Sequence, residues 1–367
     1  MMEHLSTTPT LISDWQQNRY LTYPHCNGFS RDGESILLGQ LRANCAGIYR
    51  RHLVSGDIQL LAEFDCPAIG WIAFDVALAA DVVAVIVDQK LWILDVYGSH
   101  QPRCIYEFDI APLATWDFLE KGLQPIPSIS KDGQKVIVGV TLEWGTRVLC
   151  IDVTTGSVEQ YIEKPFWLTH AHFCPHQESW IGFCHEGAAE SIHDRVWGWH
   201  ESLAPEGRVL FNQKAKQNGE SLCVGHERWC FHEATALVVA YGRGISPFGP
   251  CGLYRVGPDA KGQGELIRES DRYWHCNISR DGRWAVVDTT GPYDADGTGW
   301  DNSEKVSDVL AIDIDTGAER WLARSRRSRQ QTSHPHPTFS PDGSTVFYNQ
   351  ASDCGRYCRV LSVPLKL

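Results

Sequence analysis

Short runs of apolar residues recur along the chain with a period of two, and the same polar punctuation sits between them. Phe29-Ser30-Arg31-Asp32-Gly33, Ile129-Ser130-Lys131-Asp132-Gly133, Ile278-Ser279-Arg280-Asp281-Gly282 and Phe339-Ser340-Pro341-Asp342-Gly343 each precede an apolar run, at 35–39, 135–140, 283–288 and 344–349. Asp-Gly between two β-rich runs predicts a hairpin, because glycine supplies the positive φ of the turn. Weaker copies are read near 73–76, at 173–177 before 180–184, and at 230–234 before 237–241. Several copies continue into a third strand that ends in Asp and a turn, as in LCIDVTTG at 149–156 and LAIDIDTG at 310–317. Helical periodicity over more than about ten residues is almost absent.

Seven such units, spaced by roughly 45 to 60 residues with about four strands each, predict an all-β fold, the seven-bladed β-propeller. The blades are placed at roughly 20–65, 66–115, 116–165, 166–215, 216–265, 266–325 and 326–367, with an N-terminal strand closing the last, so that residues 1–367 form one domain. Two stacked β-sandwiches would show less regular spacing. In a propeller the first strand of each blade runs down the central channel to its Asp-Gly hairpin. Residues a few places before the hairpin therefore gather at one mouth.

Composition narrows the partners. Lys and Arg number 33 against 45 Asp and Glu, a formal charge of −12, which lacks the basic footprint of a nucleic-acid binder. Hydrophobic residues at 43% and charged residues at 21% belong to a packed globular chain. No basic segment followed by an apolar run opens the sequence, and no stretch of about 18 apolar residues occurs, so neither export nor membrane insertion is expected. Thirteen cysteines, an odd number, fit a reducing cytoplasm and free thiols. Cys354 and Cys358 have no second cysteine pair near them, which argues against a metal knuckle. The 14 Trp are read mainly as packing between blades, although sugar stacking is the other use of such residues. Neither a phosphate-binding glycine loop nor a Gly-x-Ser-x-Gly elbow is present.

Eleven of the 15 His lie after position 169, in a common register. His336 stands four residues before Ser340 and His275 four before Ser279. With Cys174 and Cys230 in the serine's place, His170 and His226 take the same position. Four consecutive blades would then point a histidine at the same mouth. In Gln331-Thr332-Ser333-His334-Pro335-His336-Pro337, alternation by two along a segment held extended by its prolines is expected to put both imidazoles on one side. Imidazoles with a Gln carbonyl suit Mn, Fe, Zn or Ni, and favour a hexacoordinate divalent ion with open positions over a structural zinc.

The strings QTSHPHP at 331–337 running into FSPDG, HCNISRDG at 275–282, GHERW at 225–229, FCHEG at 183–187 and DRVW at 194–197 resemble those of the oligogalacturonate lyases, cytoplasmic propeller enzymes of bacterial pectin breakdown. The resemblance runs from about Trp167 to the C-terminus. It implies that His275, Gln331, His334 and His336 hold manganese, that His226 abstracts a proton and that Arg195 is the catalytic arginine. Blade five departs from the family with Phe231-His232-Glu233-Ala234 where an Asp-Gly turn is expected, and the acidic insert at 292–304 has no counterpart.

The implied chemistry suits these residues. β-Elimination of a 4-linked uronate removes the C5 proton, α to a carboxylate, and a divalent cation or a guanidinium stabilises the charge that develops. The expected substrate is a short oligogalacturonate. Arg195 has a plainer reading as a surface partner of Asp194 or Glu186. His185, after the second strand of blade four, and His170 are candidates for substrate contact, and His170 competes with His226 as the base; His232 is expected at the opposite, hairpin end. A non-catalytic propeller and a metal-dependent uronate epimerase or isomerase are the alternative functions.

Overall fold

The four Ser-x-Asp-Gly segments form the hairpins expected of them. In each, the serine Oγ donates to the aspartate two residues on, at 2.6 Å from Ser30, 2.7 Å from Ser130, 2.6 Å from Ser279 and 2.5 Å from Ser340. The glycine that follows has φ between 73° and 77°. The serine N–H then closes the turn on the carbonyl five residues ahead, at Ser35, Lys135, Trp284 and Thr345. Two degenerate copies keep this closing bond, from Cys230 to Thr235 at 2.8 Å and from Ala77 to Val82 at 2.9 Å. In a third, Cys174 reaches Trp180 at 2.9 Å across a turn one residue longer. The backbone thus gives Cys174 and Cys230 the place that serine holds elsewhere.

These hairpins recur in a computed structural model that describes all residues except 1–2, 5–7, 44, 66–70, 112–120, 189–190, 214–221, 242–249, 297–304 and 366–367. Most of the acidic insert, at 297–304, lies outside the described residues. Seven antiparallel sheets span 19–65, 74–107, 122–164, 168–209, 223–269, 273–326 and 338–364, with strands paired in sequence order. The fold is an all-β, seven-bladed β-propeller. The N-terminal segment adds outer strands to two sheets: Thr10–Leu11 pairs antiparallel with Cys358–Pro364, and Glu3–His4 pairs parallel with Glu319–Arg326.

The chain divides into two compact units, one of Met1–Asn18, Ala188–Gly198 and Gly207–Leu367, the other of Arg19–Gly187 and Trp199–Glu206. In the first unit, the strand Trp284–Thr289 shows how its core is built. Ala285 and Val287 pack with Leu237, Val239 and Leu253 of the preceding sheet, whereas Trp284 and Val286 pack with Val346, Tyr348 and Leu361 of the next. Alternation with period two thereby buries both faces of a central strand. The second unit repeats the device. Val83 and Val85 join Leu37 and Ile48, and Ala84 and Ile86 join Val136 and Val138.

Gly282 tests the hairpin logic. Its φ is 77°, and a Cβ there would lie 2.2 Å from the His232 ring, which packs at the hairpin end as expected. Gly282→Ala is therefore expected to cost about 1 kcal/mol or more. The melting temperature should fall, and an unchanged one would contradict this account of the turn.

Candidate metal centre

Each histidine-bearing inner strand breaks its ladder at the histidine. The register shifts between Thr169 and His172, between Val224 and Glu227, and between Tyr273 and Cys276. His170, His226 and His275 fall inside these shifts. Such bulges set two residues against one and re-aim a side chain. In the seventh sheet the same end is reached differently. Gln331–Ser333 forms a 3-10 turn, His334 is extended at φ −66°, ψ 144°, and His336 takes a left-handed φ of 42°. The expectation of a uniformly extended His-Pro-His segment is corrected here. Its imidazoles meet because the chain kinks, a conformation that costs a non-glycine residue of order 1 kcal/mol or more.

The kink brings His275, His334 and His336 together. One ligand nitrogen from each lies within 4.8 Å of the others, and all three residues are buried. Ring centroids are 4.4 Å apart for His275 and His336, and 5.7 Å for His275 and His334. Burial, then the neighbouring His275 and Arg327, holds His334 well below the usual histidine range, so it stays neutral with a lone pair to offer. Among the described residues, His334 Nδ1 and Gln331 Oε1 are buried without a hydrogen-bond partner. Gln331 is fixed near the cluster because its carbonyl accepts the His334 N–H at 3.2 Å. Buried polar atoms left unpaired cost about 1–3 kcal/mol each, and a divalent cation removes that cost. Nitrogen and oxygen donors of this kind fit a borderline divalent ion.

Asp288, which the sequence reading passed over as the end of an apolar strand, organises this cluster. Its fully buried carboxylate lies 2.9 Å from His275 Nδ1 through either oxygen. It also accepts the backbone N–H of His275 at 2.9 Å and of His336 at 3.2 Å. With Nδ1–H committed to Asp288, His275 presents Nε2 as its ligand atom. Trp274 and Arg327 were also missed. The indole centroid lies 4.3 Å from His275 and 4.4 Å from His334, and the Arg327 guanidinium sits 4.9 Å above the indole.

His226 adjoins the cluster, its ring 5.6 Å from that of His275. Its Nδ1 accepts the Cys276 N–H at 3.4 Å and lies 3.7 Å from Cys276 Sγ. Burial pushes the Cys276 thiol well above its usual range, so it stays protonated and can donate toward Leu237 O. Arg195 reaches the same place: its Nε donates to the carbonyl of Gly225, next to His226, at 2.9 Å, and its backbone N–H donates to Gln213 Oε1 at 2.7 Å. In the other unit, His170 Nε2 lies 3.0 Å from the Tyr23 hydroxyl, and His185 stacks on Phe166 with centroids 4.1 Å apart.

All 12 described cysteines are free thiols, Cys354 exposed and Cys358 buried, and Cys66 lies outside the described residues. No helix among the described residues is long and apolar enough to cross a membrane.

Asp288→Asn removes the charge and scrambles the three acceptor contacts. Removing such an orienting partner typically costs 10–100-fold in metal affinity. Titration calorimetry with Mn²⁺ should show a loss of about that size, and wild-type affinity would contradict the role of Asp288.

Comparison with known proteins places the chain. A family model described as oligogalacturonate lyase matches residues 131–364, more than half of the sequence. An oligogalacturonide lyase of Pectobacterium atrosepticum is 25% identical over 219 residues, covering 56% of this chain and 53% of that protein. The chain thus spans about half the length of the curated relatives it matches. Among solved structures, an oligogalacturonate lyase in complex with manganese superposes with a TM-score of 0.77 at 17% identity, over 100% of this chain and 99% of that one. One from Vibrio parahaemolyticus gives 0.77 at 19% identity, over 98% and 93%. These two share the fold, and the match across residues 131–364, which contains every residue of the histidine cluster, establishes that the chain belongs to the oligogalacturonate lyase family.

Proposed function

We propose that the protein is a divalent-metal-dependent lyase that cleaves short oligogalacturonides by β-elimination, acting in the cytoplasm on products of pectin breakdown. The observation that carries this reading is the buried cluster of His275, His334 and His336 within 4.8 Å, in a chain of this family. Gln331 Oε1 completes the donor set, and manganese is the ion it is assigned. A bound Mn²⁺ would supply Lewis acidity toward the uronate carboxylate, stabilising the charge that develops at C5.

The remaining work falls to side chains. His226, whose ring lies 5.6 Å from that of His275, takes the C5 proton. Arg195, fixed through Nε to the Gly225 carbonyl, offers a planar guanidinium matched to a carboxylate. The electrons of the C5–H bond form the C4=C5 double bond as the C4–O bond breaks. The departing sugar leaves as an alkoxide and becomes a hydroxyl on protonation. His170, on its sequence register, and His185, from its place after the second strand of blade four, are proposed as substrate contacts.

Incubation of the Mn²⁺-loaded protein with digalacturonate distinguishes the readings. A 4,5-unsaturated uronate is expected, whereas binding without reaction points to a non-catalytic propeller and stereochemical exchange to an epimerase. His334→Ala and His336→Ala should each lose tightly held metal in elemental analysis, and unchanged content in both would overturn the ligand assignment. His226→Ala should keep metal and lose about 10²–10⁴-fold in turnover. An active His226→Ala alongside an inactive His170→Ala would move the base to His170. Arg195→Lys should lose most activity, because a point charge replaces a fork.

A further inference from the structure

A groove of about 960 Å³ is lined by Lys305, Arg326, Arg327, Arg329 and Cys354 among others. Among the described residues of its lining, four basic side chains stand against the one carboxylate of Asp353, in a chain whose net charge is −12. Arg326 pairs with Asp353. Lys305 and Arg329 have no ion-pair or side-chain hydrogen-bond partner among the described residues.

The groove is continuous with the cluster through covalent and packed neighbours. Its residues are Lys305 and Val306 at the start of one strand, 326–330 at the end of the next, and 352–355 after the strand Thr345–Ala351, all placed by the alternating strand directions at the histidine end of their sheets. The Ser328 N–H donates to Ser333 Oγ at 3.1 Å, one residue before His334. Arg327 forms the inner wall, its guanidinium over Trp274, whose indole lies against both His275 and His334.

We infer that this groove binds the carboxylate of the second uronate of the oligosaccharide, with Arg329 and Lys305 as its cations. The inference rests on the proposed substrate class. Every sugar of that substrate carries a carboxylate, and metal and Arg195 serve only the one being cleaved. An acidic protein needs a further local cation for the next, and a guanidinium is suited to it. The same groove makes a dimer bind better than a monomer.

Calorimetry with the Mn²⁺-loaded His226→Ala protein, which keeps its metal and turns over too slowly to consume the ligand, tests this. This parent should bind digalacturonate more tightly than galacturonate. Adding Arg329→Ala should weaken digalacturonate about tenfold, as expected for one charge-assisted contact, with galacturonate binding held at the parent value. Lys305→Ala should act in the same direction, and both losses should shrink as salt rises. Undiminished digalacturonate affinity when Arg329→Ala and Lys305→Ala are combined, or equal losses for monomer and dimer, overturns the inference. Digalacturonate binding of this pattern beside a wild type that forms no unsaturated product sinks the lyase reading and leaves the groove standing.

Discussion

The site depends on one buried carboxylate. Asp288 lies on the strand Trp284–Thr289, on the face that Trp284 and Val286 fill with apolar side chains, and it has no exposure to solvent. Burying a charge there costs several kcal/mol unless it is paired and hydrogen-bonded. Two backbone N–H groups and the His275 imidazole meet that demand. The bonds that stabilise the carboxylate are also the ones that fix the His275 tautomer and hold the kinked His336. The pairing joins the sixth sheet to the seventh, so the candidate metal ligands inherit the rigidity of two packed blades.

Legibility followed the range of the interactions. The Ser-x-Asp-Gly hairpins are local chemistry, in which Ser30 Oγ, Asp32 and Gly33 act within four residues, and they mark the repeat without help from distant contacts. His334 and His336 were readable because their spacing is written in consecutive residues. The register of His226 was readable once Cys230 was aligned with serine, and the closing bond to Thr235 shows why that works: the turn needs the backbone N–H, and the side chain is free to vary. Asp288 was not readable. A carboxylate after Ala285-Val286-Val287 looks like a strand reaching solvent, and only its partners 13 and 48 residues away reveal otherwise. The left-handed φ of His336 was hidden for a related reason, since no glycine announces it.

Charge distribution reconciles an acidic chain with the acidic ligand proposed for it. The −12 average hides a basic run, Arg324-Ser325-Arg326-Arg327-Ser328-Arg329, just before the candidate ligand segment at 331–336. Part of it is neutralised locally, as Arg324 is by Asp308 and Asp294. The rest faces the groove or the Trp274 indole. Net repulsion at a distance and attraction within a Debye length of the groove would favour a short anionic chain that fits the site over a bulky polyanion.

The account stands on where the metal binds, and manganese-edge anomalous diffraction from crystals grown with Mn²⁺ tests that most directly. It predicts one strong peak bonded by His275 Nε2, His334, His336 and Gln331 Oε1, with the Asp288 carboxylate still on His275 Nδ1. A peak at other residues, or none at this cluster in crystals that bind the ion elsewhere, would contradict it.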